Sequence, residues 1–374
     1  MDEECIEIDY SDASSEDIGT AFEDLDVSTN IDDAFYVFRK HNEPVYAIAI
    51  HDNSIVVSGG GDNKAFVWSA ETGDLLHTIT EHSDSVSYVS FSSQSQSSGK
   101  SKYLVTADLA GNINVILVEE KRIVWNYSTG EDIEFVIWHP KLPVIFIGIK
   151  TGDCWIFEIP SSNSRILSGC SVPTSAAFID DLHLAIGYED GKIKIFNIKT
   201  GSAVSAFFDN KSLHEGPITC LCTKGDNRGM CFSASADGAV NYLNAMHSKV
   251  LWSLPTNSAS MHVESMAVCP NDLTLLAIGR MNSIVDICYI PNSTIRYSIK
   301  LEASAINIQF SKSNPIFLAG LLNGAIVCCD CRSGEIVRKF YGHEDAILDL
   351  RLSQNESLFV TASDDGSCRV FYLE

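Results

Sequence analysis

The sequence predicts an all-β fold in which eight small antiparallel sheets form a closed ring. A degenerate unit recurs eight times between Ala34 and the C-terminus. The equivalent turn residues of successive units are 39 to 48 residues apart, and Gly, Asn and Asp recur around them. A unit of this length that carries four short strands is typical of a β-propeller blade. A ring of seven blades is the alternative, if one of the weaker units is a long loop.

Each unit combines a small residue, an acid or amide, a turn residue and an alternating strand. The three clearest copies read SGGGDNKAFVW, IGYEDGKIKIF and TASDDGSCRVF. Tight turns carried by Gly, Asn and Asp predict an antiparallel meander of strands a, b, c and d. In the first unit we expect these strands at residues 45–49, 55–59, 65–68 and 75–80. The turn positions of the eight units are Asp62, Ala110, Thr151, Asp190, Asp237, Asn282, Asn323 and Asp365.

The two ends of the chain predict how the ring closes. The last unit stops at its third strand, within residues 371–374, and lacks a fourth strand. Residues 34–39 form an alternating segment that precedes the first a strand, as every d strand precedes the next unit. We therefore expect residues 34–39 to complete the last blade, because this closure removes a sheet edge that would favour aggregation.

Composition changes sharply near residue 33. Residues 1–33 contain thirteen acids and no Lys or Arg, and their few apolar side chains cannot offset the entropy lost on ordering. We predict a disordered acidic tail at residues 1–33 and one propeller domain at residues 34–374. Of the net charge of −23, about −10 belongs to the propeller, so the acidity is not confined to the tail.

The sequence favours a soluble, monomeric, cytoplasmic protein, with nuclear presence left open. No apolar run reaches the roughly 18 residues of a membrane span, and Met1 is followed by acids rather than by a signal sequence. No membrane contact is therefore expected. Direct binding of nucleic acid is not expected either, because so acidic a chain repels phosphates.

No motif indicates an enzyme, a cofactor or a metal site. The chain has no Gly-rich phosphate loop, no GxSxG elbow and no HExxH motif. Cys328, Cys329 and Cys331 are the one dense group among twelve cysteines, but no second Cys or His pair accompanies them. Strand alternation places Cys328 and Cys329 on opposite faces. We therefore expect buried, reduced thiols rather than a zinc site.

The repeat resembles that of WD-repeat proteins. The matching residues are Gly342-His343 and Glu81-His82 before two a strands, and Val67-Trp68 in a c strand. Residues 34–374 are similar, more narrowly, to the family of angio-associated migratory cell protein and its fungal counterpart, through GGGDNKAFVW, LVTADLAGNINV, the Trp-His-Pro at 138–140 and residues 186–191. This resemblance implies a WD40-type β-propeller. It also implies a dedicated chaperone that delivers a late-joining ribosomal protein, L-ten, to the pre-60S particle of large ribosomal subunit assembly.

The charged residues sort unequally between the two ends of the ring. A meander sends its d-to-a loops and b-to-c turns to one end, and its other connections to the opposite end. The first end then holds seventeen acids, and its five bases are Lys64, Lys150, Lys192, Lys211 and Arg280; the opposite end holds eleven acids and twelve bases. An acidic end attracts Arg and Lys and repels acidic competitors, so we expect a basic, Arg-rich protein segment as the partner.

The turn acids have an expected structural role. Asp62, Asp190, Asp237 and Asp365 occupy the motif turn position, where bonds to turn amides and to the buried histidine of the blade are expected. These histidines are His41, His82, His214 and His343. The loss of the motif Asp at Ala110 and Thr151 predicts weaker internal bonding in the second and third blades.

The candidate partner-binding residues lie beside the motif. The first three are Asp84, Glu264 and Asp364, which come from different blades and match the acidic surface positions of the resembled family. Glu43, Glu189, Glu302 and Asp345 follow, with Glu134 if strand a begins earlier in the third unit, and Tyr46 and Tyr88 as stacking surfaces for Arg. For any single acid, solvation is at least as good an explanation. The alternative function is a scaffold for signalling, ubiquitin transfer or basic chromatin tails, since propellers serve many roles.

Overall fold

Eight four-stranded antiparallel sheets make up the protein in a computed structural model that describes residues 32–93, 102–207, 213–225, 229–254 and 261–373. Strands β2 to β29 form seven meanders of four strands, and β30 to β32 form the eighth sheet together with β1; each sheet is one blade. The innermost strand of each blade packs against the innermost strands of its two neighbours, and β30 of blade 8 packs against β2 of blade 1. The predicted eight-bladed propeller is confirmed, and the seven-bladed alternative is wrong.

The strands have the following bounds, in the order a, b, c, d. Blade 1 consists of β2 (Val45–His51), β3 (Ile55–Gly60), β4 (Ala65–Ser69) and β5 (Leu75–Ile79). Blade 2 consists of β6 (Val86–Phe91), β7 (Tyr103–Asp108), β8 (Asn112–Leu117) and β9 (Arg122–Ser128). Blade 3 consists of β10 (Ile133–Trp138), β11 (Val144–Ile149), β12 (Cys154–Glu158) and β13 (Ser164–Leu167). Blade 4 consists of β14 (Pro173–Phe178), β15 (His183–Tyr188), β16 (Ile193–Asn197) and β17 (Ala203–Phe207).

The second half of the ring repeats the pattern. Blade 5 consists of β18 (Ile218–Thr223), β19 (Met230–Ser235), β20 (Val240–Asn244) and β21 (Lys249–Leu254). Blade 6 consists of β22 (Val263–Val268), β23 (Leu275–Arg280), β24 (Ile284–Tyr289) and β25 (Thr294–Lys300). Blade 7 consists of β26 (Ala305–Phe310), β27 (Ile316–Leu321), β28 (Ile326–Asp330) and β29 (Glu335–Phe340). Blade 8 consists of β30 (Ile347–Leu352), β31 (Leu358–Ser363), β32 (Cys368–Tyr372) and β1 (Tyr36–Phe38).

The N-terminal strand β1 completes blade 8, as its sequence predicts. It pairs antiparallel with β32, with Tyr36 opposite Val370 and Phe38 opposite Cys368. Phe38 is buried and its ring stacks on Trp68 of blade 1, with centroids 4.5 Å apart. The closing strand is therefore held both by main-chain pairing within blade 8 and by packing against blade 1.

Burial across a blade explains its sequence pattern. The b strands are buried along almost their whole length, because both of their faces pack against neighbouring blades. Their sequences are consequently mostly apolar or small, without regular polar alternation, and buried charged residues stand at the ends of β7 and β23. Outermost d strands are more exposed, and β13 and β25 expose most of their residues.

Two short 3₁₀ helices, Ala245–His247 and Ile290–Asn292, join c to d strands. No helix in the described ranges is long and apolar enough to cross a bilayer. Of the predicted tail, residues 1–31 lie outside the described part of the chain. Its last two residues are described: Asp32 pairs with Arg369, and the backbone N–H of Asp33 donates to the carbonyl of Tyr341.

Every innermost strand carries a β-bulge at the same place. In β2, Val45 is opposite Gly60 and Ala47 is opposite Gly59, so Tyr46 has no partner in β3. A bulge of this kind bends the strand and re-aims the extra side chain. The eight extra residues are Tyr46, Ser87, Glu134, Thr174, Thr219, Glu264, Ile306 and Leu348.

Candidate functional site

The d-to-a loops and the b-to-c turns meet at one end of the ring, which we call the loop end. In each blade a backbone N–H of the b-to-c turn donates to a carbonyl of the preceding d-to-a loop, over 2.8 to 3.0 Å. The donors are residues 61, 109, 150, 189, 236, 281, 322 and 364, and the acceptors are residues 44, 85, 132, 172, 217, 262, 304 and 346. Eight equivalent bonds therefore place equivalent side chains at equivalent points of the loop end.

Three positions per blade present side chains there. The loop position lies two residues before strand a, the bulge position is the extra residue of strand a, and the pre-turn position is the donor residue of the b-to-c turn. Glu43, Asp84 and Asp345 occupy loop positions, Tyr46, Glu134 and Glu264 occupy bulge positions, and Glu189 and Asp364 occupy pre-turn positions. Glu302 lies one residue earlier in its loop, and Tyr88 follows its bulge residue.

Blades 8, 1 and 2 carry exposed carboxylates. Asp345, Asp364, Glu43 and Asp84 are all exposed, and within the described residues no Lys, Arg or His nitrogen lies within 4 Å of their oxygens. The turn of blade 8 at Gly366 packs against the backbone of Glu43, which brings the two blades together. These carboxylates therefore keep their charge available to a ligand.

Blades 3 and 4 carry a second group of acids, in which one lysine is embedded. The pKa of the half-buried Glu134 carboxyl is raised, chiefly by burial. Lys150 lowers this pKa, and the negative charges of Asp132 and Glu189 raise it further. Lys150 Nζ lies 2.9 Å from Asp132 Oδ2. The negative charge of Glu189 in the next blade thus acts on Glu134, and Lys150 offsets the charge of Asp132.

The remaining two candidate acids have partners. Glu264 Oε1 lies 3.1 Å from His262 Nε2, and the side chain is partly buried. Glu302 forms an ion pair with Lys339 of strand β29. Among the eight candidate acids, Glu302 is therefore the one that forms an ion pair with a lysine of the described residues.

The two candidate tyrosines differ in accessibility. Tyr46 is 39% exposed at the bulge position of blade 1 and offers a ring face at the loop end. Tyr88 is half-buried and its hydroxyl donates to the carbonyl of Glu134 over 2.5 Å. Tyr88 therefore ties blade 2 to blade 3, and its hydroxyl has a partner within the fold.

A cavity of about 550 Å³ lies between the innermost strands of blades 8, 1, 2 and 3. Tyr46, Tyr88 and Trp138 line it together with Asp349 and Arg351, whose side chains are 3.2 Å apart. Asp349 is buried and also accepts from the backbone N–H of Ile48. Sequence reasoning missed this pair. The signal was present in ILDLRL, where two opposite charges stand two residues apart in an otherwise apolar strand.

Three of the four turn acids contact the histidine of their blade. Asp62 Oδ1 lies 2.9 Å from His41 Nδ1, and Asp365 Oδ2 lies 2.8 Å from His343 Nδ1. Asp237 Oδ1 is 3.6 Å from His214 Nδ1, and its other oxygen accepts from the backbone N–H of Glu215. In blade 4 no histidine precedes strand a, and Asp190 pairs instead with Lys192 over 2.7 Å.

The expectation that loss of the motif Asp weakens the internal hydrogen bonding of blade 2 is wrong. Asp108, two residues before Ala110, is fully buried and lies 3.4 Å from His82 Nδ1. It also accepts the backbone N–H groups of Ser83 and Asn112. An acid at the end of strand b thus reaches the same histidine as a turn acid does.

Two further assignments at the loop end were wrong. Arg280, sorted there as an exposed base, is buried and donates to Asp286 over 2.7 Å. Asp108, one of the seventeen acids that the sequence assigns to this end, is buried. Asp209, another of these acids, and Lys211 lie outside the described residues.

Within the described residues, the cysteines form no group that could bind a metal ion. The eleven described cysteines are free thiols. Cys328 packs in the cluster that contains Phe340, and Cys329 packs in the cluster that contains Phe317, which confirms their opposite orientation. No group of three or more His, Cys, Asp or Glu side chains within the described ranges is arranged to hold a metal ion.

Comparisons with known proteins find similarity to the repeat at both ends of the propeller. The sequence family described as "WD domain, G-beta repeat" matches residues 33–69 and 334–371. Angio-associated migratory cell protein of Homo sapiens is 29% identical over 360 residues, which cover 92% of this chain and 81% of that protein. "Ribosome assembly protein SQT1" of Saccharomyces cerevisiae is 25% identical over 396 residues, which cover 93% and 88%.

Solved structures agree with the fold. The crystal structure of Saccharomyces cerevisiae Sqt1 superposes with a TM-score of 0.81 at 22% identity, covering 91% of this chain and 99% of that one. Chaetomium thermophilum Sqt1, bound to the N-terminus of the ribosomal protein L10, superposes with a TM-score of 0.80 at 20% identity, covering 91% and 100%. The chain is an eight-bladed β-propeller that matches the WD repeat at residues 33–69 and 334–371. It is similar along about nine-tenths of its length to angio-associated migratory cell protein and to Sqt1.

Proposed function

We propose that this protein is a non-enzymatic chaperone of large ribosomal subunit assembly that binds a basic, Arg-rich segment of ribosomal protein L10 at its loop end. Binding would shield the segment in the cytoplasm until the ribosomal protein reaches the pre-60S particle. The observation that carries the proposal is the group of exposed carboxylates on blades 8, 1 and 2 that no cation of the described chain offsets.

The comparisons support the same partner. One relative of similar length is named a ribosome assembly protein, and a structure with the same fold holds the N-terminus of ribosomal protein L10. A nascent ribosomal protein exposes segments rich in Arg and Lys before it meets RNA. Such a segment is the chemical complement of the loop end.

The geometry indicates how a basic segment would be held. Carboxylates from several blades lie at the same end of the ring, so their fields add and attract a cationic chain from a distance. An arginine can donate two parallel hydrogen bonds to one carboxylate and can stack on an aromatic ring such as that of Tyr46. Asp364 and Asp84 offer such carboxylates, and Glu264, which lies beside His262, offers a third.

Charge reversal tests the site directly. We expect the triple variant Asp84→Lys, Glu264→Lys and Asp364→Lys to weaken binding of the L10 N-terminal segment by more than about 100-fold, because like charges then face the ligand. The matched control reverses three exposed acids of the opposite end, Glu71→Lys, Glu119→Lys and Glu335→Lys. The net charge of the two variants is the same. Equal affinity of both variants, measured by calorimetry on folded protein, would show that the loop end is not the binding site.

Capture from growing cells separates the chaperone from a general scaffold. A dedicated chaperone should recover one ribosomal protein in near-equal amount. Recovery of several unrelated partners without that protein would favour the alternative, a scaffold for signalling, ubiquitin transfer or basic chromatin tails. The triple charge-reversal variant serves as the control, since it should lose the ribosomal protein while remaining folded.

A further inference from the structure

The loop end is not acidic all the way round. At the pre-turn position, where blades 4 and 8 carry Glu189 and Asp364, blades 6 and 7 carry Met281 and Leu322. These two side chains are 43% and 42% exposed. Large apolar side chains placed side by side on a surface indicate an interaction site more often than scattered ones do.

Hydrogen bonds place Met281 and Leu322 on the two sides of one loop. The hydroxyl of Ser304 donates to the carbonyl of Met281, and the carbonyl of Ser304 accepts from the backbone N–H of Leu322 over 3.0 Å. Ala303 precedes Ser304 at the loop position, and Ile306 follows at the bulge position; both are half-buried. We call Met281, Ala303, Ile306 and Leu322 the apolar patch.

Acids flank the apolar patch on both sides. On the blade 6 side, the N–H of Met281 donates to the carbonyl of His262, two residues before Glu264. On the blade 8 side, the turn that contains Leu322 packs through Gly324 against the backbone of Asp345. The patch is therefore continuous with the candidate acidic site and shares its loops.

We infer that the apolar patch is a subsite for one apolar side chain of the same basic segment that the carboxylates bind. This inference rests on the proposed function and adds a specificity element to it. Carboxylates alone attract any Arg-rich chain, whereas a neighbouring apolar contact selects chains that carry an aliphatic or aromatic residue at a set distance from their basic residues. A second copy of this chain is a poor occupant, because two chains of net charge −23 repel each other.

The test uses synthetic peptides of Arg and Gly. A nine-residue parent peptide is compared with a set in which one Leu replaces Gly at successive positions. At one or two positions the Leu should tighten binding to the wild-type protein about tenfold, the value expected for partial burial of one aliphatic side chain. The double variant Met281→Ser and Leu322→Ser should lose this gain and should keep its affinity for the parent peptide.

Blade 2 supplies the matched control. Leu109 occupies the same pre-turn position and is 40% exposed, but its blade carries Asp84 rather than apolar neighbours at the loop position. Leu109→Ser should therefore leave the gain intact. The inference is overturned if no Leu position tightens binding, or if the double variant retains the gain that the wild type shows.

Two other results would also overturn it, for distinguishable reasons. If the parent peptide binds the wild type and the triple charge-reversal variant equally, the proposed acidic site is wrong. The apolar subsite, which rests on that site, is then wrong as well. If sedimentation shows a concentration-dependent dimer that the double variant loses, the patch belongs to a contact between two copies. A wild-type protein that binds the parent peptide normally but gains nothing from Leu at any position contradicts the subsite alone.

Discussion

Single residues decide which blades have a complete internal network of an acid, a histidine and a hydroxyl. Asp108 shows that the acid need not stand at the turn position, because a carboxylate at the end of strand b reaches His82 equally well. Four blades, those of His41, His82, His214 and His343, also have a Ser or Thr hydroxyl within 2.9 Å of the histidine Nε2. Blade 6 uses the buried pair of Arg280 and Asp286 instead.

Removing the Asp108 carboxylate should destabilise the protein. Asp108→Ala leaves His82 and the backbone N–H groups of Ser83 and Asn112 without their acceptor, which should lower the free energy of unfolding by about 2 to 3 kcal/mol. Ala110→Asp at the exposed turn position should change the free energy of unfolding by less than about 0.5 kcal/mol. Urea unfolding of the two variants measures both values. Similar values for the two would mean that Asp108 is not the functional equivalent of a turn acid.

Two buried histidines should make stability depend on pH. Burial lowers the pKa of His82 below its ordinary 6.5, although Asp108 raises it, and burial lowers that of His343 in the same way, although Asp365 raises it. Below pH 6.5 the unfolded chain therefore binds protons that the folded chain does not. Stability is full above about pH 6.5 and falls as the pH drops towards the folded values, by at most about 1.4 kcal/mol per pH unit for each histidine.

Urea midpoints measured from about pH 7.5 down to about pH 5.5 test this sign. The midpoint should fall across this window in the wild type. The variant with His82→Gln and His343→Gln should be less stable but should show a shallower decline. A wild-type midpoint that stays constant or rises on acidification would contradict the direction of the two pKa shifts.

At the scale of elements, three residues of β1 hold the ring closed. Phe38 is 1% exposed, stacks on Trp68 and meets Phe66 edge-on with centroids 5.9 Å apart. Its neighbour in the closing segment, Phe35, is 52% exposed. The contribution of the segment to stability is therefore concentrated in the buried ring.

Phe38→Ala should destabilise the protein by about 3 to 5 kcal/mol, because it leaves a cavity beside Trp68 and loosens the strand that covers the edge of β32. Phe35→Ala is the matched control and should cost less than about 1 kcal/mol. Urea unfolding gives the free energies, and light scattering should show that the Phe38 variant aggregates sooner. Equal stability of the two variants would argue against closure by β1.

At the scale of the whole molecule, the ring places side chains of distant sequence at one end. The acids of blades 8, 1 and 2 are separated by up to about 320 residues in the chain, yet the closure of the ring makes these blades neighbours. The attraction of a basic ligand is therefore a collective property of the ring, and salt should weaken it.

Raising the salt concentration from about 0.1 M to about 1 M shortens the screening length from about 10 Å to about 3 Å. Affinity for the L10 N-terminal segment should then fall by more than about tenfold in the wild type and in the control with Glu71, Glu119 and Glu335 reversed. The triple variant at Asp84, Glu264 and Asp364 should show a flatter dependence. Fluorescence anisotropy across the salt series measures the affinity of each protein for the segment. Salt-independent affinity in the wild type would mean that charge does not drive binding.

Much of the architecture was predictable because the repeat is local. Each unit carries its own turn residues and strand pattern, so the number of blades, the strands of the first unit and the closing segment at residues 34–39 follow from reading the chain in order. The candidate acids could be assigned to one end for the same reason. The roles of Asp108 and Arg280 could not, because whether a charged residue is buried depends on a partner that the fold brings to it.

The sequence by itself determined the eightfold repeat, the way in which the ring closes and the acidic excess, since these follow from period and composition. Only the tertiary structure decided which acids are free and which have partners, as the ion pair of Glu302 with Lys339 shows. It also decided that Met281 and Leu322 lie on either side of one loop, and that Asp349 faces a cavity between blades. The physical reason is that a strand pattern depends on neighbours in the chain, whereas burial, pairing and convergence depend on neighbours in space.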